Sequence, residues 1–103
     1  MNKEEIKNNF YNFEEIAELL KIIAHPIRLC IICGLSEINC CNVTYMQNCL
    51  DIPQSTLSQH LQKLRNAKII KGERNGLEIN YKLVDKRVEN LVKLLMNENM
   101  KNN

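Results

Sequence analysis

Between Gln54 and Leu83 the period of the hydrophobic pattern changes once, and that change constrains the fold more than any other feature of the chain. In "QSTLSQHLQKLRNA", Leu57, Leu61 and Leu64 recur at the steps of one helical face. The β-branched pair Ile69 and Ile70 follows. Then "LEINYKL" alternates, with Leu77, Ile79, Tyr81 and Leu83 on one side and Glu78, Asn80 and Lys82 on the other. Asn75-Gly76 between two such runs is the strongest short hairpin signal. The pattern predicts a helix over 54–67, then strands "IIKGE" and "LEINYKL" joined by "RNG".

The remaining segments read as helices around that unit. Ile6, Phe10, Phe13, Ile16, Leu20 and Ile23 predict one helix over 3–23. "AHPIRLCIICGL" starts a second, with Pro26 at the first helical position, where its missing N–H is no loss. Its inner face is expected to hold Ile27, Cys30, Ile31 and Leu35, with Gly34 near its end and "SEINCCN" as a turn. Asn42 or Thr44 caps a short third helix, "VTYMQNCL". "DIP" ends it, since Pro53 disfavours helical geometry at Ile52. A last helix starts near Asp85 on a stripe of Val88, Leu91, Val92 and Leu95, and the tail "NENMKNN" is expected to fray. The order is four helices, a β-hairpin and a fifth helix. That is a mainly helical α+β fold, a winged helix-turn-helix, with the helix-turn-helix at 43–67 and the wing at 69–83.

At 103 residues the chain has room for a single domain, 1–103. Its 45% hydrophobic content permits a packed core, although a dimer interface would help so small a chain. No apolar run approaches the roughly 18 residues of a membrane span. The polar start "MNKEEIKNNFYNFEE" does not read as a signal peptide, so a cytoplasmic protein without a membrane partner is expected. No nucleophile–base pair is suggested, and three glycines form no phosphate-binding loop, which argues against an enzyme. Charge is uneven: residues 1–52 carry four cations against seven carboxylates, residues 53–82 six against two. Such asymmetry suits a polyanion-facing surface, although a solvated face would also produce it.

The chemistry of the basic segment favours double-stranded DNA. Short hydroxyl and amide side chains reach base edges and phosphates without a long stem. Gln54, Ser55 and Thr56 open the helix, where the dipole and free N–H groups favour a phosphate. Ser58, Gln59, His60 and Lys63 lie further along it, and glutamine can pair bidentately with adenine. Lys71, Arg74 and Asn75 on the wing suit phosphate or minor-groove contact. Ser55 can equally act as a helix cap, and His60 can be packed or solvated. A winged-helix module used for protein interaction or dimerisation alone is the competing function, and a metal-buffering protein a third. The exposed hydroxyl and amide face is what an interaction module would not need.

"HPIRLCIICGL", "QSTLSQHLQKLRNAKII" and "RNGLEINYKL" together resemble the ArsR/SmtB family of winged-helix transcriptional repressors. The matching residues are His25-Pro26-Ile27-Arg28, Ser55 through Ile70, and Arg74 through Tyr81, and the resemblance spans roughly residues 15–96. Lys68 departs from it, standing where the family usually has a glycine in a left-handed helix cap. The resemblance implies a homodimer through the first and last helices, 1–23 and 85–96, binding to an inverted-repeat operator, and release by a small inducer. The apolar stripes of those two helices support the dimer on their own.

The family also implies places for an inducer. One type of member uses a C-x-C pair in the third helix, where this chain has Asn42 and Thr44; another uses histidines on the last helix, which here has none. What remains is Cys30, Cys33, Cys40 and Cys41, a candidate thiol sensor. No cofactor is certain. The thiols are open to a soft metal or metalloid ion, to redox or sulfur chemistry, or to a structural role, with Cys30 and Cys49 as core fillers.

Overall fold

The computed structural model describes the backbone of residues 1–38 and 41–101 and the side chains of 1–38 and 42–97. The elements are α1 (Lys3–Asn8), α2 (Phe10–Ile23), α3 (Pro26–Ile38), β1 (Cys41–Asn42), α4 (Val43–Leu50), α5 (Gln54–Asn66), β2 (Ile70–Asn75), β3 (Glu78–Leu83) and α6 (Lys86–Lys101). The expected order stands: helices, the helix-turn-helix pair α4–α5, the hairpin β2–β3, and a closing helix. Two refinements come with it. The first helix divides at Asn9, whose side-chain amide donates to the Glu5 carbonyl at 2.7 Å, the local competition that makes asparagine a helix interrupter. A two-residue strand, β1, pairs antiparallel with β3 (Cys41↔Tyr81, Asn42↔Asn80), giving the sheet order β1-β3-β2. Two residues are too few to show alternation in a sequence.

The core sits where α3, α5, α6 and the sheet meet. Ile32, Leu57, Leu64 and Ile69 are fully buried, and Leu35, Leu61, Val88 and Val92 nearly so. Burying one such side chain is worth roughly 1.5–3 kcal/mol. α3 extends through Ser36, Glu37 and Ile38, where a turn was expected. Its inner stripe is Arg28, Ile31, Ile32 and Leu35. Cys30, expected on that stripe, is exposed. It lies two residues from both Arg28 and Ile32, about 200° round a helix of 3.6 residues per turn. Cys49 is exposed as well, so neither thiol is core filler. Cys40 lies outside the described residues, as does the side chain of Cys41.

Each boundary of the helix-turn-helix, the hairpin and the closing helix has a local cause. Asn42 caps α4, its Oδ1 accepting from the Tyr45 N–H at 2.8 Å. α4 stops at Asp51, which is left-handed with φ 53°. α5 ends in a complete left-handed cap: the Lys68 N–H donates to the Arg65 carbonyl at 2.9 Å and the Ile69 N–H to the Leu64 carbonyl at 3.0 Å. Lys68 takes φ 59°, the left-handed region that favours glycine. The hairpin turns one residue later than expected. Asn75 pairs with Glu78, so the loop is Gly76-Leu77, with Gly76 supplying φ 68°. Leu77 consequently sits fully exposed at the tip instead of extending the apolar face. Asp85 caps α6, its Oδ1 accepting from the Val88 N–H at 3.2 Å, and the helix continues to Lys101 through the segment expected to fray.

Candidate nucleic-acid interface

α5 presents two opposite rows. Leu57, Leu61 and Leu64 are buried against the core. Gln54, Ser55, Ser58, Gln59, Gln62 and Lys63 are exposed on the other side, with Thr56 half-buried. The N-cap is Pro53, and no side chain caps the first turn. Ser55 is therefore inside the helix and not its cap. The N–H groups of the first turn are left pointing out of the helix end, where an anion is stabilised by the helix dipole.

His60 differs from its neighbours. It is half-buried, and its Nδ1 lies 3.0 Å from Arg28 Nη1. A guanidinium can only donate, so Nδ1 accepts and the proton of the neutral ring is on Nε2. Its ring centroid is 4.5 Å from that of His25 at an interplanar angle of 47°. His25 in turn accepts the Ile27 N–H on Nδ1 at 3.1 Å, and Arg28 Nε donates to the Ile22 carbonyl. The recognition helix is thus tied to the start of α3 through three polar side chains. Burial, then His25, Arg28 and Lys63, hold the His60 pKa below its ordinary value.

On the wing, Lys71, Arg74 and Asn75 are exposed. Glu73 pairs with Lys82 at 2.9 Å and with Lys71 at 3.7 Å, so part of the Lys71 charge is already met. The hydrogen bond from Lys82 is the main reason the Glu73 carboxyl sits below the usual range. Between the end of α5 and the wing lies an open groove of about 570 Å³. Arg65, Lys68, Lys71 and Arg74 bring four cations to it. Neither Arg65 nor Lys68 is among the DNA-contact residues expected from the sequence. Only the left-handed turn at Lys68 swings the end of α5 and the start of β2 onto one groove.

The two candidate thiols that are described, Cys30 and Cys33, face different neighbours. Cys33 is half-buried beside Val92 and Met96 of α6, and burial, then Cys30 and Glu37, push its pKa up. Cys30 opens toward α4. Among the described residues no three His, Cys, Asp or Glu side chains gather as a metal ion would require. No helix among them is long and apolar enough to cross a membrane.

Comparison with known proteins agrees with this geometry. A family model described as bacterial regulatory protein, arsR family, matches residues 25–71. The chain is 46% identical over 89 residues to the transcriptional repressor PagR of Bacillus anthracis, spanning 86% of this chain and 89% of PagR. The PagR crystal structure superposes with a TM-score of 0.75 over 84% of this chain and 98% of that one. The transcriptional repressor BigR from Xylella fastidiosa, 34% identical, superposes with a TM-score of 0.79 over 94% of this chain and 95% of that one. The repressor SmtB of Mycobacterium tuberculosis is 39% identical over 75 residues, 73% of this chain and 55% of SmtB.

Proposed function

Because the chain belongs to the bacterial ArsR family of regulatory proteins, whose relatives here are non-enzymatic transcriptional repressors, we propose that it binds an inverted-repeat operator as a homodimer in the cytoplasm and leaves it when a thiol-reactive species or a soft metal or metalloid ion arrives. The observation that carries the reading is the exposed row Ser55, Ser58, Gln59 and Lys63 on a helix whose first turn has no side-chain cap. Gln54, Ser55 and Thr56 meet backbone phosphate at the helix N-terminus. Ser58 and Gln59 meet base edges, and Lys63 continues along the backbone. His60 aims the helix from behind. Lys71, Arg74 and Asn75 reach the flanking duplex, with Arg65 and Lys68 adding charge beside them.

The exposed apolar stripe of α1 and α2 supports the dimer: Ile6, Phe10, Phe13, Ile16 and Leu20 each keep 39–56% of their surface in solvent. A run of that length is an interface signature. The metal branch of the inducer reading has the least support, since no three potential ligands gather among the described residues. AntR, a structure 26% identical to this chain, is an antimony-specific transcriptional repressor.

The test is a titration of the full chain onto random-sequence duplexes with selection of the bound fraction. An inverted repeat with half-sites about one helical turn apart is the expected winner. Gln59→Ala is expected to weaken binding by about 1–3 kcal/mol and to relax preference at one base pair per half-site. Enrichment of no sequence, with Gln59→Ala indistinguishable from wild type, would leave a dimerisation module in place of a repressor.

A further inference from the structure

A groove of about 200 Å³ separates α3 from α4. Ile31, Leu35, Met46 and Leu50 make it apolar, and Cys30 of α3 and Cys49 of α4 line it with exposed thiols. Gly34 lies on the same groove. A Cβ built at Gly34 meets nothing within 4 Å, so the open space is where a side chain would stand. A glycine inside a helix destabilises it relative to alanine. No turn requires one here, for α3 continues through Ile38. Its effect on the structure is to hold the groove open between two thiols.

Those walls select a ligand class. A soft metal ion needs three or four donors, and among the described residues the groove brings two thiols, set between mostly apolar side chains with Tyr45 beside them. An uncharged ring fits better. An apolar cavity of about 150 Å³ takes a benzene molecule, so this groove has room for one six-membered ring and its substituents. We infer that the α3–α4 groove is a binding and modification site for small apolar carbon electrophiles, quinones and related unsaturated carbonyl compounds, to which Cys30 or Cys49 adds. In that addition the thiol sulfur forms a bond to the β-carbon and the S–H bond breaks. The electron pair of the C=C bond moves to the carbonyl oxygen, which takes up the proton. With 1,4-benzoquinone the ring carbon then loses its own proton to the second oxygen, leaving a hydroquinone thioether. No external oxidant or reductant enters. Cys33 is the poorer nucleophile, because it is partly buried, faces α6 and keeps its proton to higher pH.

For its output the inference rests on the proposed repressor function. α3 places Ile31, Ile32 and Leu35 in the core, whereas α4 buries only Met46 there and leads through Asp51–Pro53 directly into α5. An adduct between α3 and α4 therefore shifts the DNA-reading pair relative to the rest.

The experiment exposes the full chain to stoichiometric 1,4-benzoquinone and maps the adduct by peptide mass. The adduct is expected on Cys30 or Cys49 ahead of Cys33, forming about ten-fold or more faster in the folded than in the urea-unfolded chain. Iodoacetamide, small and polar, is expected to show no such enhancement. Gly34→Leu fills the groove without touching the DNA-reading face and is expected to abolish the enhancement, with Gly34→Ala intermediate; should the leucine variant fail to fold by circular dichroism, the alanine variant decides. Equal rates in folded and unfolded chain, or an enhancement that a folded Gly34 variant leaves intact, overturns the site. Operator titration of the same samples reads the output. Modified wild type is expected to bind about 5- to 150-fold more weakly, and the double variant Cys30→Ser, Cys49→Ser not to respond. Labelling at the site with unchanged operator affinity overturns the coupling. Untreated protein that binds no duplex overturns the repressor reading instead, and the labelling rates still decide the site.

Discussion

Arg28 is buried to 8% exposure and donates its hydrogen bonds to a backbone carbonyl and an imidazole. Burial first, then His25 and this Arg28 cation, disfavour a charged His60, and the consequence is a pH dependence whose sign is determined. The His60 pKa is lower in the folded chain than in the unfolded one, from burial first and then from His25, Arg28 and Lys63. Between the two values the unfolded chain binds more protons, so stability rises with pH. The contribution is present above the unfolded value of about 6.5 and is lost as pH falls through the lower folded value. The expected result is that wild type loses more Tm between about pH 7 and pH 5 than His60→Gln, which keeps an acceptor for Arg28. Equal losses in the two proteins would show that the ring does not titrate against this cluster. Nothing in linear spacing joins His25, Arg28 and His60. The sequence therefore left His60 between packing and DNA contact, and only the crossing of α3 and α5 brings the three together.

At the scale of elements, the junction of α5 and β2 does two things at once. Lys68 closes the helix in the left-handed region, at φ 59°, and also adds charge to the groove beside the wing. Lys68→Gly is expected to stabilise the fold by about 1 kcal/mol, since glycine adopts that conformation without strain. Thermal unfolding would read this as a gain of roughly 4–8 °C for a domain of this size. A lower Tm would mean that the lysine stem contributes more by packing than its backbone strain costs. Arg74 tests the wing. Arg74→Ala is expected to weaken binding to every duplex alike and to reduce the slope of log K against log salt by about one. A slope equal to wild type would take the wing out of the contact set. Lys71 is a weaker probe, because Glu73 already sits 3.7 Å from it.

At the scale of the whole molecule, the chain is extended, with a radius of gyration of 15.8 Å against about 13 Å for a compact domain of a hundred residues. α1 and most of α2 bury little: among the described residues of the two helices only Ile23 is buried. Leu94, Leu95 and Met96 of α6 are left in solvent as well. In the proposed homodimer a second copy of the chain covers both surfaces. Ile16→Glu, which places a charge in the middle of the exposed stripe, is expected to yield a folded monomer by sedimentation at micromolar concentration and to lose most operator affinity, since each monomer then holds a single half-site. A dimer that survives the substitution would move the interface elsewhere.

What the sequence by itself determined is whatever depends on neighbours along the chain. The leucine row of α5, the strand alternation from Ile79 to Leu83 and the stop at Asp51–Pro53 are local and legible in the sequence; the cap of α4 is narrowed there to Asn42 or Thr44, and the left-handed Lys68 follows only from the family resemblance. The tertiary structure decided which face of a helix meets the core and what meets across elements. Cys30 and Ile31 are adjacent and similarly apolar, so composition does not separate them; the packing of α3 buries Ile31 and leaves Cys30 in solvent. The basic groove of Arg65, Lys68, Lys71 and Arg74, the His25–Arg28–His60 cluster and the two-thiol groove opened by Gly34 all join residues from different elements. Such juxtapositions come from helix crossing and strand register, which the burial of the common core sets and no local spacing encodes.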